Sequence, residues 1–327
     1  MGGYVLRRIL YMVITLLLLS VISFIIIQLP PGDYVTSYIA QMRQRGEVVD
    51  QAGIEALRRQ YGLDQPGYAQ YFKWMWKMFH GDFGFSYTWN KPVNDLLWER
   101  LGLTVTVSMV TLLFTWIVGF VIGLYSATHQ YSIGDYATSF LGYIGLATPN
   151  FLLALIILWL AYAFFGVNLG GLFSHHYENA PWSVGKFIDL LKHIWVPVVV
   201  VGTAGTAALI RILRANLLDE VNKPYVEAAR VRGLPEGKLL WKYPLRIAII
   251  PFVSTVGWNL PAIVSGATIT GIVLNLPIVG PLLLQSLQNQ DMYLAGSLVM
   301  FLSFFTVIGT LISDILLAWV DPRIRFE

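Results

Sequence analysis

Cysteine is absent from the 327 residues. That excludes disulfides, thiolate metal centres and a cysteine nucleophile, and it leaves the compartment open. Charge is scarce as well: Asp, Glu, Lys and Arg make up 13% of the chain, against about 25% in an ordinary soluble domain. The charges are also clustered, so long stretches carry none. A net charge of +3, with no basic run interleaved with aromatics, speaks against a nucleic-acid partner. A signal-peptide cleavage site is missing too. Arg7 and Arg8 precede an apolar run over 9–29, which is longer than a signal h-region, lacks an A-x-A site and is closed by Pro30, Pro31 and Gly32. It reads as a retained first membrane helix.

What the chain has in quantity is apolar sequence. Stretches of 18 or more residues with few or no charges are transmembrane candidates, because about 20 helical residues cross a hydrocarbon core of about 30 Å. Six such spans are predicted, over 9–29, 103–127, 136–165, 194–213, 247–273 and 294–319, which makes the fold all-α and polytopic. Basic residues favour the cytoplasmic side. The 211–246 loop carries eight of them, and Arg323 and Arg325 follow the last span. The 166–193 loop has only Lys186 and Lys192, and 274–293 has none. Both termini are therefore expected in the cytoplasm, consistent with an even number of spans. The 30–102 segment balances eight basic against eight acidic residues. It is predicted to form a small extracytoplasmic cap with short helices over Ile54 to Tyr61 and Tyr68 to Phe79. The expected organisation is thus 1–29 as N-terminus and first helix, 30–102 as cap, and 103–327 as a five-helix core containing the 211–246 loop.

The predicted spans contain almost no ionisable residue. Asp314 lies near the cytoplasmic end of the last, and Asp135 sits at an interface. Ion- or proton-coupled carriers generally place an Asp, Glu or His inside the membrane, so this scarcity argues against secondary transport. Motifs for covalent chemistry fail also. Gly233 to Lys238 resembles part of a P-loop, but Leu239 stands where Ser or Thr is required. Asp82-Phe83-Gly84 lacks the other kinase motifs. His175 and His176 are adjacent and cannot share one helix face as metal ligands.

Neutral polar residues do occur in the spans. Thr104, Ser108, Thr111 and Thr115 share one face of the second, and Thr255, Asn259 and Ala262 share a face of the fifth, near Pro251 and Pro261. Two readings stay open for them: the wall of a translocation path, or tight hydrogen-bonded packing between helices. For the GxxxG of Gly119 and Gly123 packing is the better reading.

The basic 211–246 loop is the most informative segment. Tyr225 to Arg232 reads as a short helix, preceded by Pro224 and stopped by Gly233, which allows a positive φ and a sharp reversal. Glu227 in its first turn complements the helix dipole, and Ala228 and Ala229 leave a thin face that can enter a groove on a partner. A self-sufficient channel or carrier has no evident need of such an element, although an ordinary amphipathic surface helix would look similar.

Glu227-Ala228-Ala229, three residues, then Gly233 resembles the EAA loop of permease subunits of binding-protein-dependent ABC importers. Tyr61-Gly62-Leu63-Asp64-Gln65-Pro66, Gly81-Asp82-Phe83-Gly84-Phe85-Ser86, Thr148-Pro149-Asn150-Phe151, Arg211 with Arg214, and Asp321-Pro322-Arg323 extend the match over the whole chain. Together they resemble the dipeptide/oligopeptide/nickel permease family. The resemblance implies a type I importer fold in the bacterial or archaeal cytoplasmic membrane. Tyr225, Glu227, Ala228, Ala229, Arg230, Gly233 and Leu234 would then make the contact with an ATPase. The implied partners are a second homologous permease, two cytoplasmic ATPase subunits and an extracytoplasmic solute-binding protein, with ATP and Mg held by those ATPases and no cofactor on this chain. Departures from the family pattern lie mostly on the outer side, as at Pro277-Ile278-Val279-Gly280, and leave oligopeptides and oligosaccharides both open as cargo. A self-sufficient channel or carrier and a non-transporting assembly factor are the rivals from other classes.

Overall fold

The computed structural model describes residues 2–29, 34–44, 51–61 and 64–320. The Pro30-Pro31-Gly32 stop, Gly62 and the Asp321-Pro322-Arg323 motif lie outside the described residues. In chain order the elements are α1 (Gly2–Gln28), α2 (Tyr34–Gln44), α3 (Gln51–Tyr61), α4 (Gly67–Phe79), β1 (Phe85–Ser86), β2 (Lys91–Pro92), α5 (Val93–Thr128), α6 (Ile133–Ala147), α7 (Asn150–Phe165) and α8 (Val184–His193). There follow α9 (Trp195–Val221), α10 (Pro224–Val231), α11 (Glu236–Lys242), α12 (Pro244–Ser254), α13 (Val256–Val273), α14 (Val279–Gln288) and α15 (Met292–Val320). The predicted all-α class holds, with one two-residue antiparallel ribbon, β1–β2, among the described residues.

Among the described residues four helices are long and apolar enough to cross a membrane: α1, α5, α9 and α15. The predicted span 136–165 is two helices, α6 and α7, meeting at 107°, and counts as a fifth if the pair is taken together. The break has a local cause. Pro149 offers no N–H and pushes the preceding residue out of the helical region, and Thr148 is extended at φ −90° and ψ 120°. The predicted span 247–273 is also divided, into α12 and α13, with Pro251 inside α12 and the break at Thr255. Two further boundaries moved. The second helix begins at Val93, ten residues before the predicted 103, and the fourth continues to Val221, so the first eleven residues of the predicted 211–246 loop are helix. Hydropathy falls where side chains meet water or other protein, whereas the backbone hydrogen-bond ladder continues across that boundary.

The chain divides into two compact units, one built on Thr104–Pro277 and the other on Arg7–Leu103 with Ile278–Val307. In the second, Val93, Leu96 and Leu97 of α5 pack with Val279 and Leu282 of α14 and Leu294 and Leu298 of α15. Trp74 of α4 is buried with Phe24 and Met292, and Gly296 makes room for its indole: a Cβ there would stand 2.9 Å from the Trp74 ring. The ribbon is fixed to α15 by Asp291, whose Oδ2 accepts from the Ser86 hydroxyl at 2.5 Å and from the Thr88 N–H at 3.1 Å. Asp291 is fully buried, and that burial pushes its carboxyl pKa up while the hydrogen bonds oppose the shift.

In the first unit α9 is the central helix, packed by α6, α7, α12 and α13. Small residues set how closely α5 approaches it. A Cβ on Gly119 would meet Leu209 Cβ at 2.9 Å, and one on Gly202 would meet the Phe114 ring at the same distance. Gly119 and Gly123 are thus packing residues, as the sequence reading favours. Around α9, Leu209, Leu213 and Leu217 form a buried cluster with Leu245, Ala248 and Phe252.

Candidate functional site

The segment after α9 folds back on itself as a short helical hairpin. Pro224 occupies the first turn of α10, where its missing N–H costs nothing. Glu227 lies in that same first turn. Gly233, at φ 79°, reverses the chain immediately after the helix, and Pro235 precedes α11. Val226 and Ala229 of α10 close on Leu239 of α11 in a small buried core, with Leu234 and Tyr243 against it. The outward face carries Tyr225, Glu227, Ala228, Arg230 and Val231. The two alanines therefore differ in role: Ala228 is exposed, whereas Ala229 is turned into the hairpin. Leu234 supports that same core, so the predicted contact residues comprise a presenting set and a supporting set.

Two polar contacts hold the hairpin. Tyr225 donates its hydroxyl hydrogen to Glu220 at 2.5 Å, which fastens α10 to the last turn of α9. Burial, with the adjacent Glu220 carboxylate, pushes the Tyr225 pKa up to about 12. Arg230 Nε donates to Glu236 at 2.6 Å across the Gly233 turn, and this exposed pair holds the Glu236 carboxyl below its ordinary value.

Farther up the stalk the sequence reading missed a clamp. Arg214 of α9 donates from Nε and Nη2 to the two carboxylate oxygens of Asp135, at 2.9 and 2.8 Å. The Ser126 hydroxyl of α5 and the Tyr131 N–H donate to the same carboxylate. Asp135 is 2% exposed, and its own N–H is capped by Ser132 at 3.1 Å. The first turn of α6, the end of α5 and α9 are thereby pinned together, about two helical turns from the end of α9. The signals were in view: a lone acid at the start of one apolar run and an arginine near the end of another, 79 positions away.

The polar residues predicted for a path fall in different settings. Thr104, Ser108, Thr111 and Thr115 are buried inside the chain, and Thr115 sits in the notch of α9 between Gly202 and Gly205. The hydroxyls of Thr111 and Thr115 have no hydrogen-bond partner among the described residues. Thr255 is buried and donates to the Phe252 carbonyl at 2.7 Å, while Asn259, partly buried, donates to Thr255 at 3.1 Å. The side chain of Ala262 lies outside the described residues.

The comparisons name the class of protein to which this hairpin and its clamped stalk belong. Residues 119–326 match the family described as binding-protein-dependent transport system inner membrane component, and residues 1–110 match the N-terminal region of such membrane components. Over the full length of both chains the sequence is 33% identical to the oligopeptide transport system permease protein AppB of Bacillus subtilis. It is 26% identical to the dipeptide transport system permease protein DppB of Alkalihalophilus pseudofirmus, again over the whole of both. It is 29% identical to the peptidoglycan transport system permease protein YejB of Agrobacterium fabrum, over all of this chain and 99% of that one. The chain belongs to the binding-protein-dependent permease family, the multi-pass inner-membrane subunits of ABC importers, and within it to the peptide-permease group.

Proposed function

We propose that this chain is one permease half of an ATP-driven importer of oligopeptides, fed by an extracytoplasmic solute-binding protein and completed by a second, related permease. Two ATPase subunits on the cytoplasmic side bind ATP and Mg, and this chain contributes no catalytic residue and no cofactor of its own. Counting α6–α7 and α12–α13 as one span each gives six spans with both termini inside, and α2, α3, α4 and the β1–β2 ribbon, ahead of α5, form the cap on the outer face. The relatives' names, which cite oligopeptides, dipeptides and peptidoglycan, favour peptides over oligosaccharides.

The observation that carries this reading is the α10 hairpin. Its outward face of Tyr225, Glu227, Ala228, Arg230 and Val231 is uncovered among the described residues, while Val226, Ala229, Leu234 and Leu239 pack behind it. A rigid helix on a stalk transmits displacement, whereas a loose loop absorbs it. In this reading the ATPase cleft grips α10, α9 carries the movement upward, and the Arg214–Asp135 clamp passes it to α5 and α6. Asn259 is proposed on the wall of the path. Thr104, Ser108, Thr111 and Thr255 back that wall from inside the chain.

The test is peptide uptake by the reconstituted importer carrying Glu227→Lys or Gly233→Pro. Uptake should fall at least tenfold while the permease still assembles in the membrane. Unchanged ATP-driven uptake in both variants would sink the coupling role, and uptake by this chain without any ATPase would favour a self-sufficient channel or carrier.

A further inference from the structure

The loop between α7 and α9 carries a helix that is inside out. On α8 the two charged residues of the middle, Lys186 and Asp189, are buried, while Val184, Phe187, Ile188 and Leu191 are 77, 53, 47 and 55% exposed. These four stand at i, i+3, i+4 and i+7, on one face of the helix. The next position on that face is Trp195, also exposed, at the start of α9, and Trp182 is exposed just ahead of α8.

The inversion is built in. Lys186 Nζ donates to the Ala180 carbonyl at 2.6 Å and to the Glu178 carbonyl at 3.4 Å, and it lies over the rings of Phe173 and Trp182 at 4.8 and 5.5 Å. Asp189 accepts from the Ser174 N–H at 2.7 Å and from the Ser174 hydroxyl at 2.8 Å. Gly185 lets the Tyr177 ring close on the helix: a Cβ there would fall 2.6 Å from its hydroxyl. The polar side of α8 is spent on its own loop. Rotating the apolar side inward would break each of these contacts and carry Lys186 and Asp189 away from the groups that hold them.

Water is a poor solvent for such a face, and a protein partner fits it less well than lipid does. The helix is about 15 Å long, and one face of that length is well short of the roughly 800 Å² per partner of a stable protein interface. The chain around it is continuous with lipid-facing sequence. Only Ile194 separates α8 from the apolar span α9, and the loop leaves α7 through Phe164 and Phe165, which are largely exposed. Trp and aromatic residues at both ends are the side chains that settle at the membrane–water boundary. We infer that α8 lies flat in the outer leaflet of the bilayer, its Val184–Phe187–Ile188–Leu191 face among the acyl chains, and that it anchors the 166–194 loop to the membrane surface.

This rests on the reading of the chain as membrane-spanning, and the absence of cysteine makes a clean test, since each introduced thiol is unique in this chain. Phe187→Cys, Leu191→Cys, His175→Cys and Leu18→Cys variants would be assembled with the second permease and cysteine-free ATPase subunits in nanodiscs of phosphatidylethanolamine and phosphatidylglycerol, and spin-labelled. Accessibility to oxygen and to a water-soluble nickel chelate is then compared. Labels at 187 and 191 should favour oxygen over nickel several-fold, at a depth of about 5–10 Å, whereas the label at 175 should favour nickel. Nickel access at 187 and 191 equal to that at 175 would overturn the inference. So would low access to both reagents that rises when the second permease or the binding protein is withheld. If the label at 18, in α1, also favours nickel, the membrane-spanning reading fails instead.

Discussion

Single residues decide more here than charge content suggests, because each buried charge has to be answered. Asp135 and Arg214 are the clearest pair. Two parallel N–H donors on one carboxylate give a strong geometry, and the Ser126 and Tyr131 donors occupy further lone pairs. Removing one partner leaves the other uncompensated, at a cost of about 3–5 kcal/mol. Arg214→Ala and Asp135→Ala should therefore each reduce the thermal stability of the detergent-purified protein sharply. The double variant should be less affected than the sum of the two. Strict additivity would mean that the clamp contributes nothing as a pair. Asp291 makes a different prediction. Burial raises its folded pKa above the unfolded value, so between the two the folded state holds the extra proton, and stability falls as pH rises through that window. Asn at 291 keeps an acceptor for Ser86 and Thr88 and removes the charge. Asp291→Asn should melt higher than the parent protein near neutral pH, and the difference should shrink toward pH 4. Asp291→Ala, which orphans both donors, should be destabilised by about 1–3 kcal/mol. A melting difference between Asp291→Asn and the parent that does not change with pH would contradict this account. Asp135 and Arg214 stand out in the sequence as isolated charges, but which residues pair was not legible there. Hydropathy and spacing report a residue's own helix, and Asp135–Arg214 and Ser86–Asp291 join positions 79 and 205 apart.

At the scale of elements, the sequence carried more. Two of the three short helices of the 30–102 segment, α3 and α4, the hairpin helix after Pro224 and the Gly233 turn follow from local chemistry, since proline at a first turn and glycine at a left-handed position act through their own backbone; α2 (Tyr34–Gln44) was not foreseen. The broken spans were less legible because an apolar window has no memory of direction: 136–165 is equally apolar whether straight or bent by 107°. The Thr148-Pro149 dipeptide was in view as a family motif, and its effect on the backbone is what divides α6 from α7. Pro149→Ala would restore an N–H donor, but Thr148 would still have to leave its extended conformation and the packing of α7 on α9 would have to shift. Such a variant should lose stability despite the better helix propensity of alanine, and a rise in melting temperature would show that proline alone imposes the break. At the other turn Gly233 has open space around its Cα, so its role is conformational and not steric. Gly233→Ala puts a side chain at φ 79° and should cost about 1–2 kcal/mol locally, with a partial loss of transport, less than that expected of Gly233→Pro.

At the scale of the whole molecule the question is how a chain with so few titratable groups in its apolar helices can be driven at all. Under the proposed coupling role the answer is mechanical: a packed hairpin, a stalk, and a clamp that joins the stalk to two further helices. The hairpin tip should then be the point of contact with the ATPase, and Val231 tests it directly. It is 83% exposed at the end of α10, outside the buried Val226–Ala229–Leu239 core, so Val231→Cys should leave the hairpin folded. Because the chain has no other cysteine, a thiol cross-linker applied to the assembled importer should join position 231 to a single cysteine placed in the groove of the ATPase subunit. The yield should change between nucleotide-free and ATP-trapped states if the helix follows the cleft, and the cross-link should stop transport while leaving ATP binding intact. A cysteine on α11, at exposed Lys238, should cross-link less. Equal yields at 231 and 238, indifferent to nucleotide, would mean that the hairpin touches the ATPase without being gripped by it, and the transmission path from α10 through Arg214 and Asp135 would lose its point of origin.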